Sequence, residues 1–204
     1  MSTPFEAIAW RDIAPQRWKN GAGVTRELAI SPAGAGSDDF DWRISVAEIA
    51  RDAPFSACPG VDRCIVLLHG DGMRLRSVEA GIDQRLARPH EPFHFAGDDV
   101  LQASLLGGAC EDLNVMVRRG RYQAEVTGHN ETVDVAPADA GLLLCSEGVW
   151  FVDGAGAATA FGLQPLHALL WRHSMPQLQA RPAAAHGSLL IVRLDALCQN
   201  GPAA

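Results

Sequence analysis

Five consecutive residues, His90-Glu91-Pro92-Phe93-His94, carry the letters of the H-E-x-x-H zinc motif of metalloproteases. In those enzymes the motif lies on a helix, so both imidazoles project from one face and reach the same metal ion. Here Pro92 stands inside the motif and Pro89 precedes it. An internal proline removes a helical hydrogen bond and clashes with the preceding turn, which costs about 3 kcal/mol or more. We therefore expect no zinc protease site in this segment.

Arginine offers a second kind of chemistry, because a planar guanidinium binds a carboxylate through two parallel hydrogen bonds. Arg43 and Ser45 share one face of a segment in which Trp42 lies on the other face. If the strand belongs to a closed barrel, Arg43 can point into the lumen; otherwise it faces solvent. Arg63 is a second candidate for carboxylate binding. The alternative for Arg63 is a surface ion pair with Asp62 or Asp41, which would contribute little.

A polar, glycine-containing loop leads into another predicted strand. It runs from Trp18 to Glu27 and includes Lys19, Asn20, two glycines and Thr25. A loop of this composition brings backbone N–H groups, an amide and a hydroxyl together, as small-molecule sites require. The alternative is a plain hairpin turn with Asn20-Gly21 at its apex.

Other familiar catalytic and cofactor signatures are absent from the sequence. There is no G-x-S-x-G elbow, no Walker phosphate loop and no complete dinucleotide-binding fingerprint. The five cysteines form no C-x-x-C pair, which favours reduced, mostly buried thiols over disulfides or a zinc knuckle. We predict no catalytic residue set, no metal and no cofactor.

The elements that must position these side chains are short strands. Runs of alternating or continuous apolar residues recur every eight to twelve residues, separated by Gly, Pro or Asp. Convincing helical periodicity is absent, and His167–Arg172 is the nearest helical candidate. Gly107-Gly108 lies between two strand-rich stretches of similar length. We therefore predict an all-β sandwich or barrel fold built from two β-units, 1–108 and 109–204, in one compact body.

The charge balance excludes several classes of partner. Lys and Arg number 17 against 24 acidic residues, giving a formal charge of −7, and the basic residues are scattered. A nucleic-acid-binding protein would need a basic stripe, so we expect no nucleic-acid partner. The longest aliphatic runs are far shorter than the roughly 20 residues of a membrane span, and no signal peptide is apparent, so we expect a cytoplasmic protein without a membrane partner.

Two spacings resemble the metal-binding motifs of cupins. Pro89 and His94 have the spacing of the second motif. When Leu67-Leu68-His69-Gly70 is laid on the end of the first motif, Ala57 and Pro59 fall at its histidine positions and Arg63 at its glutamate position. None of these three is a usable metal ligand. A fixed guanidinium charge would then stand where metal-binding cupins hold a carboxylate.

Several blocks together resemble the HutD/Ves family. They are W-K-N-G-A-G-V-T-R-E at 18–27, D-W-R-I-S-V-A at 41–47, P-F-S at 54–56 with P-G-V-D-R at 59–63, P-F-H-F-A-G-D at 92–98 and D-L-N-V-M-V-R-R at 112–119. Ala22 departs from the glycine that the family more often has. The resemblance implies a bicupin fold of two fused cupin-like β-units without a clear catalytic metal set. In the HutD branch it also implies an accessory role in histidine catabolism through binding of N-formylglutamate; the Ves branch is linked to stress induction.

N-formylglutamate is a small dianion with an amide, so its pocket should offer guanidinium groups, amide or hydroxyl partners and an apolar wall. We assign the carboxylates to Arg43 and Arg63. The formamide is assigned to Asn20, Thr25 and Ser45, and the apolar wall to Trp42 or Phe55. The predicted ligand-binding residues are Asn20, Thr25, Glu27, Trp42, Arg43, Ser45, Phe55, Asp62, Arg63, His94 and Asn114.

Three functions stay open from the sequence. The first is a non-enzymatic protein that binds a small anionic metabolite. The second is a cupin-type isomerase or hydrolase acting on a small acid, with His94 and either Asp62 or Glu27 as acid and base. The third is a structural homodimer, because cupin-like sheets leave edges that can pair.

Overall fold

The structure is a computed structural model that describes residues 5–36, 38–154 and 160–197. Within these ranges the chain is built of β-strands and one short 3₁₀ helix, Trp10–Asp12. It divides into two compact units. The C-terminal unit combines the described residues within Met1–Ile13 and Ala124–Asp195, and the N-terminal unit combines those within Ala14–Gln123 and Ala196–Ala204.

The N-terminal unit contains two sheets. The six-stranded sheet has the order β2 (Gln16–Arg17), β3 (Gly23–Ser31), β4 (Trp42–Ile49), β11 (Cys110–Arg118), β6 (Val61–His69) and β9 (Pro92–Ala96). The four-stranded sheet has the order β5 (Ala53–Phe55), β10 (Leu101–Leu105), β7 (Met73–Ser77) and β8 (Ile82–Leu86).

The C-terminal unit repeats this arrangement of one larger and one smaller sheet. The five-stranded sheet has the order β1 (Glu6–Ala9), β17 (His167–Trp171), β14 (Ala140–Glu147), β19 (Ser188–Ala196) and β12 (Tyr122–His129). The four-stranded sheet has the order β13 (Val133–Val135), β18 (Leu178–Pro182), β15 (Trp150–Gly154) and β16 (Phe161–Leu163).

Each unit has its own hydrophobic core, to which both of its sheets contribute. In the N-terminal unit the larger sheet supplies Ile65 and Leu67, and the smaller sheet supplies Leu75 and Leu101, all fully buried. In the C-terminal unit the core is centred on Trp150 and Trp171. Full burial of one Leu or Ile side chain contributes about 1.5–3 kcal/mol to the stability of the fold. The apolar residues that alternate along each strand therefore fix which of its faces points inward.

The prediction of an all-β, two-unit cupin-like fold is confirmed. The apolar runs that indicate strands in the sequence do form them: Met73, Leu75 and Ser77 alternate with Arg74 and Arg76 along β7, and Ile65–Leu68 and Leu189–Val192 lie inside β6 and β19. The helical candidate at His167–Arg172 was wrong, because His167–Trp171 is β17, paired with β1 and β14. Its apolar run Ala168–Trp171 is buried in the sheet, as a continuous apolar strand requires.

The boundary between the units differs from the predicted division at residues 108 and 109. Gly107-Gly108 lies in the connection from β10 to β11, and β11 pairs with β4 and β6 of the same unit. The N-terminal strand β1 pairs instead with β17 of the C-terminal unit. Of the five cysteines, Cys198 lies outside the described residues.

Within the described ranges, no helix has the length and apolar character needed to cross a membrane.

Two glycines beside the β7–β8 hairpin allow a matched test of this packing. Gly72 has φ of +87°, and a Cβ there would lie 1.9 Å from the backbone oxygen of Leu86. Gly81 has φ of +65° but open space around the added Cβ. We expect Gly81→Ala to cost about 1 kcal/mol of unfolding free energy, from its backbone conformation alone. Gly72→Ala should cost more than about 2 kcal/mol. Urea denaturation monitored by tryptophan fluorescence would measure both, and equal losses would contradict the predicted close approach.

Candidate functional site

A cavity of about 590 Å³ opens into the N-terminal unit. Its wall combines buried residues of the larger sheet with exposed residues of the loops around the mouth. The lining residues are Arg17, Trp18, Lys19, Asn20, Thr25, Arg43, Ser45, Ala47, Pro54, Phe55, Ser56, Cys58, Arg63, Asp112, Asn114 and Met116.

Strand register brings the buried part of this wall together. On β4 and β11 the paired residues are Arg43 with Met116, Ser45 with Asn114, and Ala47 with Asp112. All of these line the cavity. Because side chains alternate along a strand, the intervening residues lie on the opposite face of the sheet. The cavity is therefore built on the inward face of the two central strands.

Arg63 reaches this wall from β6. Its Cα pairs with that of Met116, and its side chain extends along the sheet so that Nη2 donates a hydrogen bond to Asn114 Oδ1 at 3.2 Å. Nη1 donates to the backbone oxygen of Ser56 at 3.3 Å. The guanidinium carbon lies 5.3 Å from the ring centre of Phe55 and 4.9 Å from that of Phe95.

The Arg63 charge is buried without a direct ionic partner. The residue is only 6% exposed, and no carboxylate of the described residues forms an ion pair with it. Burial lowers the pKa of the guanidinium, an effect that the Asp112 carboxylate opposes. Since arginine is not deprotonated in proteins, the site keeps a fixed positive charge. Two aromatic faces and two oxygen acceptors compensate part of its lost hydration.

Asp112 is the buried acid of the cavity wall. It is 0% exposed, and neither of its carboxylate oxygens makes a hydrogen bond of normal geometry with the described residues. Burial raises the pKa of Asp112 to about 7, although the Arg63 charge and the Asn114 side chain act in the opposite direction. This carboxyl group therefore changes its charge near neutral pH.

Arg43 differs from Arg63 because it has a carboxylate partner. Its Nε donates to Glu27 Oε2 at 2.8 Å, across the β3–β4 pair. The pairing neutralises Arg43 but leaves its Nη atoms available to the cavity. A ligand carboxylate could contact this guanidinium without removing Glu27.

The loop at the mouth is a hairpin turn held by specific hydrogen bonds. Trp18 Nε1 donates to Thr25 Oγ1 at 2.8 Å, and the Ala22 amide donates to Asn20 Oδ1 at 3.0 Å. Arg51 Nη2 donates to the Gly21 oxygen at 2.6 Å. The hairpin alternative from the sequence is confirmed, and the same loop borders the cavity.

The structure brings seven of the eleven predicted ligand-binding residues to the cavity wall. They are Asn20, Thr25, Arg43, Ser45, Phe55, Arg63 and Asn114. Four others do not line it. Glu27 pairs with Arg43, and Trp42 occupies the face of β4 opposite Arg43, so it cannot form the apolar wall. Phe55 supplies that wall instead.

Asp62 and His94 lie on the other side of the sheet. Asp62 precedes Arg63 on β6 and pairs with Arg119 at the surface. His94 pairs with Cys64 in the β6–β9 ladder, whereas Phe95 pairs with Arg63, so the exposed His94 points away from the cavity. The acid–base pairs of His94 with Asp62 or Glu27 are therefore not assembled at the cavity.

Two further alternatives can be decided. The surface ion pair of Arg63 with Asp62 or Asp41 was wrong, because these acids pair with Arg119 and Arg121. The expectation that His90–His94 forms no helix is confirmed, since Pro92–Ala96 is β9. Among the described residues, no group of three or more His, Cys, Asp or Glu side chains is arranged to hold a metal ion.

Sequence reasoning missed Asp112, the most deeply buried ionisable group of the site. The signal was its position two residues before Asn114 on an apolar strand, which places both side chains on one face. The other missed lining residues stand at the mouth or complete the wall: Arg17, Trp18, Lys19, Ala47, Pro54, Ser56, Cys58 and Met116.

The raised pKa of Asp112 predicts a pH-dependent effect of Asp112→Asn. An unfolded Asp has a pKa near 3.8, so between about pH 4 and 7 the folded protein holds a proton that the unfolded chain lacks. The free energy of unfolding of the parent protein should therefore fall as pH rises through this window. The neutral variant avoids that loss, and its stability relative to the parent should rise by up to about 4 kcal/mol between pH 4 and pH 8.

Urea denaturation of both proteins across this pH range would measure the difference. Asp62→Asn is the matched control, because it removes an exposed carboxylate from the opposite face of the sheet. A stability difference between Asp112→Asn and the parent that does not change with pH would show that Asp112 is ionised throughout.

Comparison with known proteins supports a family assignment. The HutD family model matches residues 10–190. The chain is 42% identical to "Protein Ves" of Citrobacter koseri over 134 residues, which cover 65% of this chain and 68% of the relative. It is 37% identical, over 60% of its length and 63% of the relative, to an uncharacterized 21.2 kDa protein in the hutC 3′ region of Pseudomonas putida.

Solved structures agree with this assignment. A conserved protein of unknown function from Pseudomonas aeruginosa PAO1 has a TM-score of 0.83 at 29% identity, covering 94% of this chain and 98% of that one. The structure of HutD from Pseudomonas fluorescens SBW25 (formate condition) has a TM-score of 0.79 at 25% identity, covering 95% of this chain and 99% of that one.

A cupin 2 conserved barrel domain protein from Leptotrichia buccalis has a TM-score of 0.55 at 10% identity, covering 93% of this chain and 96% of that one, and this likeness concerns the fold alone. With two cupin-like units and a family match spanning most of its length, the chain belongs to the HutD family.

Proposed function

We propose that this protein binds a small anionic metabolite with an amide group, N-formylglutamate, and acts as a non-enzymatic accessory protein of histidine utilisation. The observation that carries the proposal is the buried guanidinium of Arg63. It lines the cavity, lacks an ion-pair partner among the described residues and is fixed by Asn114 and Ser56. A ligand carboxylate that binds to this guanidinium would supply the missing negative charge.

The charge of the cavity favours an anion. Four basic residues line it, namely Arg17, Lys19, Arg43 and Arg63, against the single acid Asp112. Glu27 neutralises only Arg43. A small dianion therefore meets fixed guanidinium groups at the wall and further positive charge at the mouth, which attracts it from solution.

The size and remaining polar groups suit a ligand with an amide. A volume of about 590 Å³ lies within the range of about 300–1,000 Å³ typical of small-molecule sites. Ser45 and Thr25 offer hydroxyl groups and Asn114 an amide, while Phe55 and Met116 provide apolar surface. These side chains can pair with the formamide and cover the methylene groups between the carboxylates.

Two relatives supply the biological context. One is the P. putida protein named for its position in the hutC 3′ region, and the other is HutD of P. fluorescens. Membership of the same family supports extending a role in histidine breakdown to this chain.

Calorimetric titration at pH 6.5 would test the binding function. We expect the parent protein to bind N-formylglutamate and Arg63→Met to bind it at least about tenfold more weakly, because the variant keeps much of the side-chain volume but loses a charge-assisted contact. Arg63→Lys should be intermediate, since it keeps the charge without the planar fork.

The matched control is Arg85→Met, which removes an exposed arginine of β8 that does not line the cavity and should leave the affinity unchanged. Thermal unfolding of each variant would establish that it is folded before titration. Absence of heat from N-formylglutamate, glutamate and urocanate at millimolar concentration would overturn the proposed function, as would equal weakening by Arg63→Met and Arg85→Met.

A further inference from the structure

The deep part of the cavity contains two ionisable side chains close enough to influence each other. Arg63 is 6% exposed and Asp112 is 0% exposed. Asn114 lies between them in the register, because it follows Asp112 by two residues on β11 and accepts the Arg63 hydrogen bond. No ion pair joins the two side chains, and the Asp112 oxygens make no hydrogen bond of normal geometry with the described residues, although the Asn114 side chain acts on the carboxyl group.

We propose that the cavity binds its carboxylate ligand together with one proton, which Asp112 holds. The proposal rests on the proposed anion-binding function and adds a coupling between the ligand and the protonation of a specific residue. Asp112 acts here as a positioning residue, because its protonation sets the net charge of the buried end of the cavity and it does not itself need to touch the ligand.

The electrostatic reason is a simple charge balance. When Asp112 is protonated, the buried end of the cavity carries the +1 charge of Arg63 and attracts a carboxylate. When Asp112 is ionised, its negative charge offsets the charge of Arg63, so the buried end of the cavity is neutral. The Asp112 carboxylate then also repels the ligand carboxylate in a poorly hydrated environment. Arg63 and Asp112 each act on the pKa of the other, and such interactions are stronger where the effective dielectric constant is low. An anion therefore favours the protonated form, and protonation favours the anion.

The other charged and titratable groups around this pair are few. From β3 and β4 come Glu27 and Arg43, which pair with each other. The β5–β6 connection contributes Cys58, and β11 contributes Cys110, whose pKa is raised to about 12 by burial. Glu111 lies on the opposite face of β11, where its charge contributes to the raised pKa of Asp112.

Arg17 and Lys19 stand at the mouth, and β5 and β9 present Phe55 and Phe95 to Arg63.

The pKa of Asp112, about 7, lies within the range in which the carboxylates of the ligand are already ionised. A change in affinity between pH 6 and 8 would therefore report the protein rather than the ligand.

Calorimetric titration across pH 5.5–8, in pairs of buffers with different ionisation enthalpies, would measure both affinity and proton uptake. The ligands are N-formylglutamate, glutarate and formate. For the parent protein we expect net proton uptake near neutral pH and an affinity at pH 8 at least about fivefold weaker than at pH 6. Asp112→Asn should bind with little pH dependence and without proton uptake, whereas Asp62→Asn should behave as the parent protein does.

The outcomes separate the two proposals. If glutarate or formate binds with proton uptake but N-formylglutamate does not bind, the coupling stands and the proposed metabolite is wrong. If the carboxylates bind without proton uptake by the parent protein, the coupling is overturned and the binding function stands. Absence of binding by all three ligands at pH 6 overturns both. Proton uptake that persists in Asp112→Asn overturns the assignment to Asp112. If Asp112→Asn fails to fold, Asp112→Glu, which keeps a titratable carboxyl group, should retain proton uptake, and its loss in that variant overturns the coupling.

Discussion

Burying a guanidinium charge inside a small β-unit is the constraint on which the site depends. A charged group loses its hydration on burial and must find compensation within the protein. Arg63 finds part of it in the oxygen atoms of Asn114 and Ser56 and in the faces of Phe55 and Phe95. None of these contacts carries a full negative charge. The arrangement leaves Arg63 ready for an anion and explains why the protein tolerates a buried Asp112 nearby.

The sheet topology makes this burial possible. β4 and β11 are central strands of the six-stranded sheet, and the residues on their cavity face alternate with the buried apolar residues Ile44, Val46, Leu113 and Val115 on the other face. A shift of one residue in the register would exchange the two sets. The apolar residues thus fix the direction of Arg43, Ser45, Asp112 and Asn114, and the site inherits its geometry from the packing.

Much of the fold could be predicted because strand alternation and turn residues are local signals. Met73–Ser77 illustrates this, because Met73 and Leu75 alternate with Arg74 and Arg76 along the strand. His167–Trp171 shows the limit, because a short apolar run between two prolines does not distinguish a buried strand from a helix. The assignment of β1 to the C-terminal unit depends on pairing with a strand about 160 residues away, which no local pattern encodes.

The site was predictable in part for the same reason. Period-two alternation places Arg43 and Ser45 on one face, but it does not say whether Trp42 or Arg43 faces the cavity. Both faces of β4 are largely buried, so the choice between solvent and core that the pattern suggested did not apply. Asp112 escaped notice because an acid on an apolar strand resembles a surface residue until the neighbouring strands are in place.

The central claim, that an anion binds directly to the buried Arg63 guanidinium, is tested most directly by a crystal structure of the protein with N-formylglutamate. We predict a ligand carboxylate within hydrogen-bond distance of Arg63, near Asn114 and against Phe55. Two results would contradict direct binding to Arg63. One is density for the ligand at another surface, and the other is an Arg63 side chain directed into bulk solvent with the cavity filled by something other than the ligand.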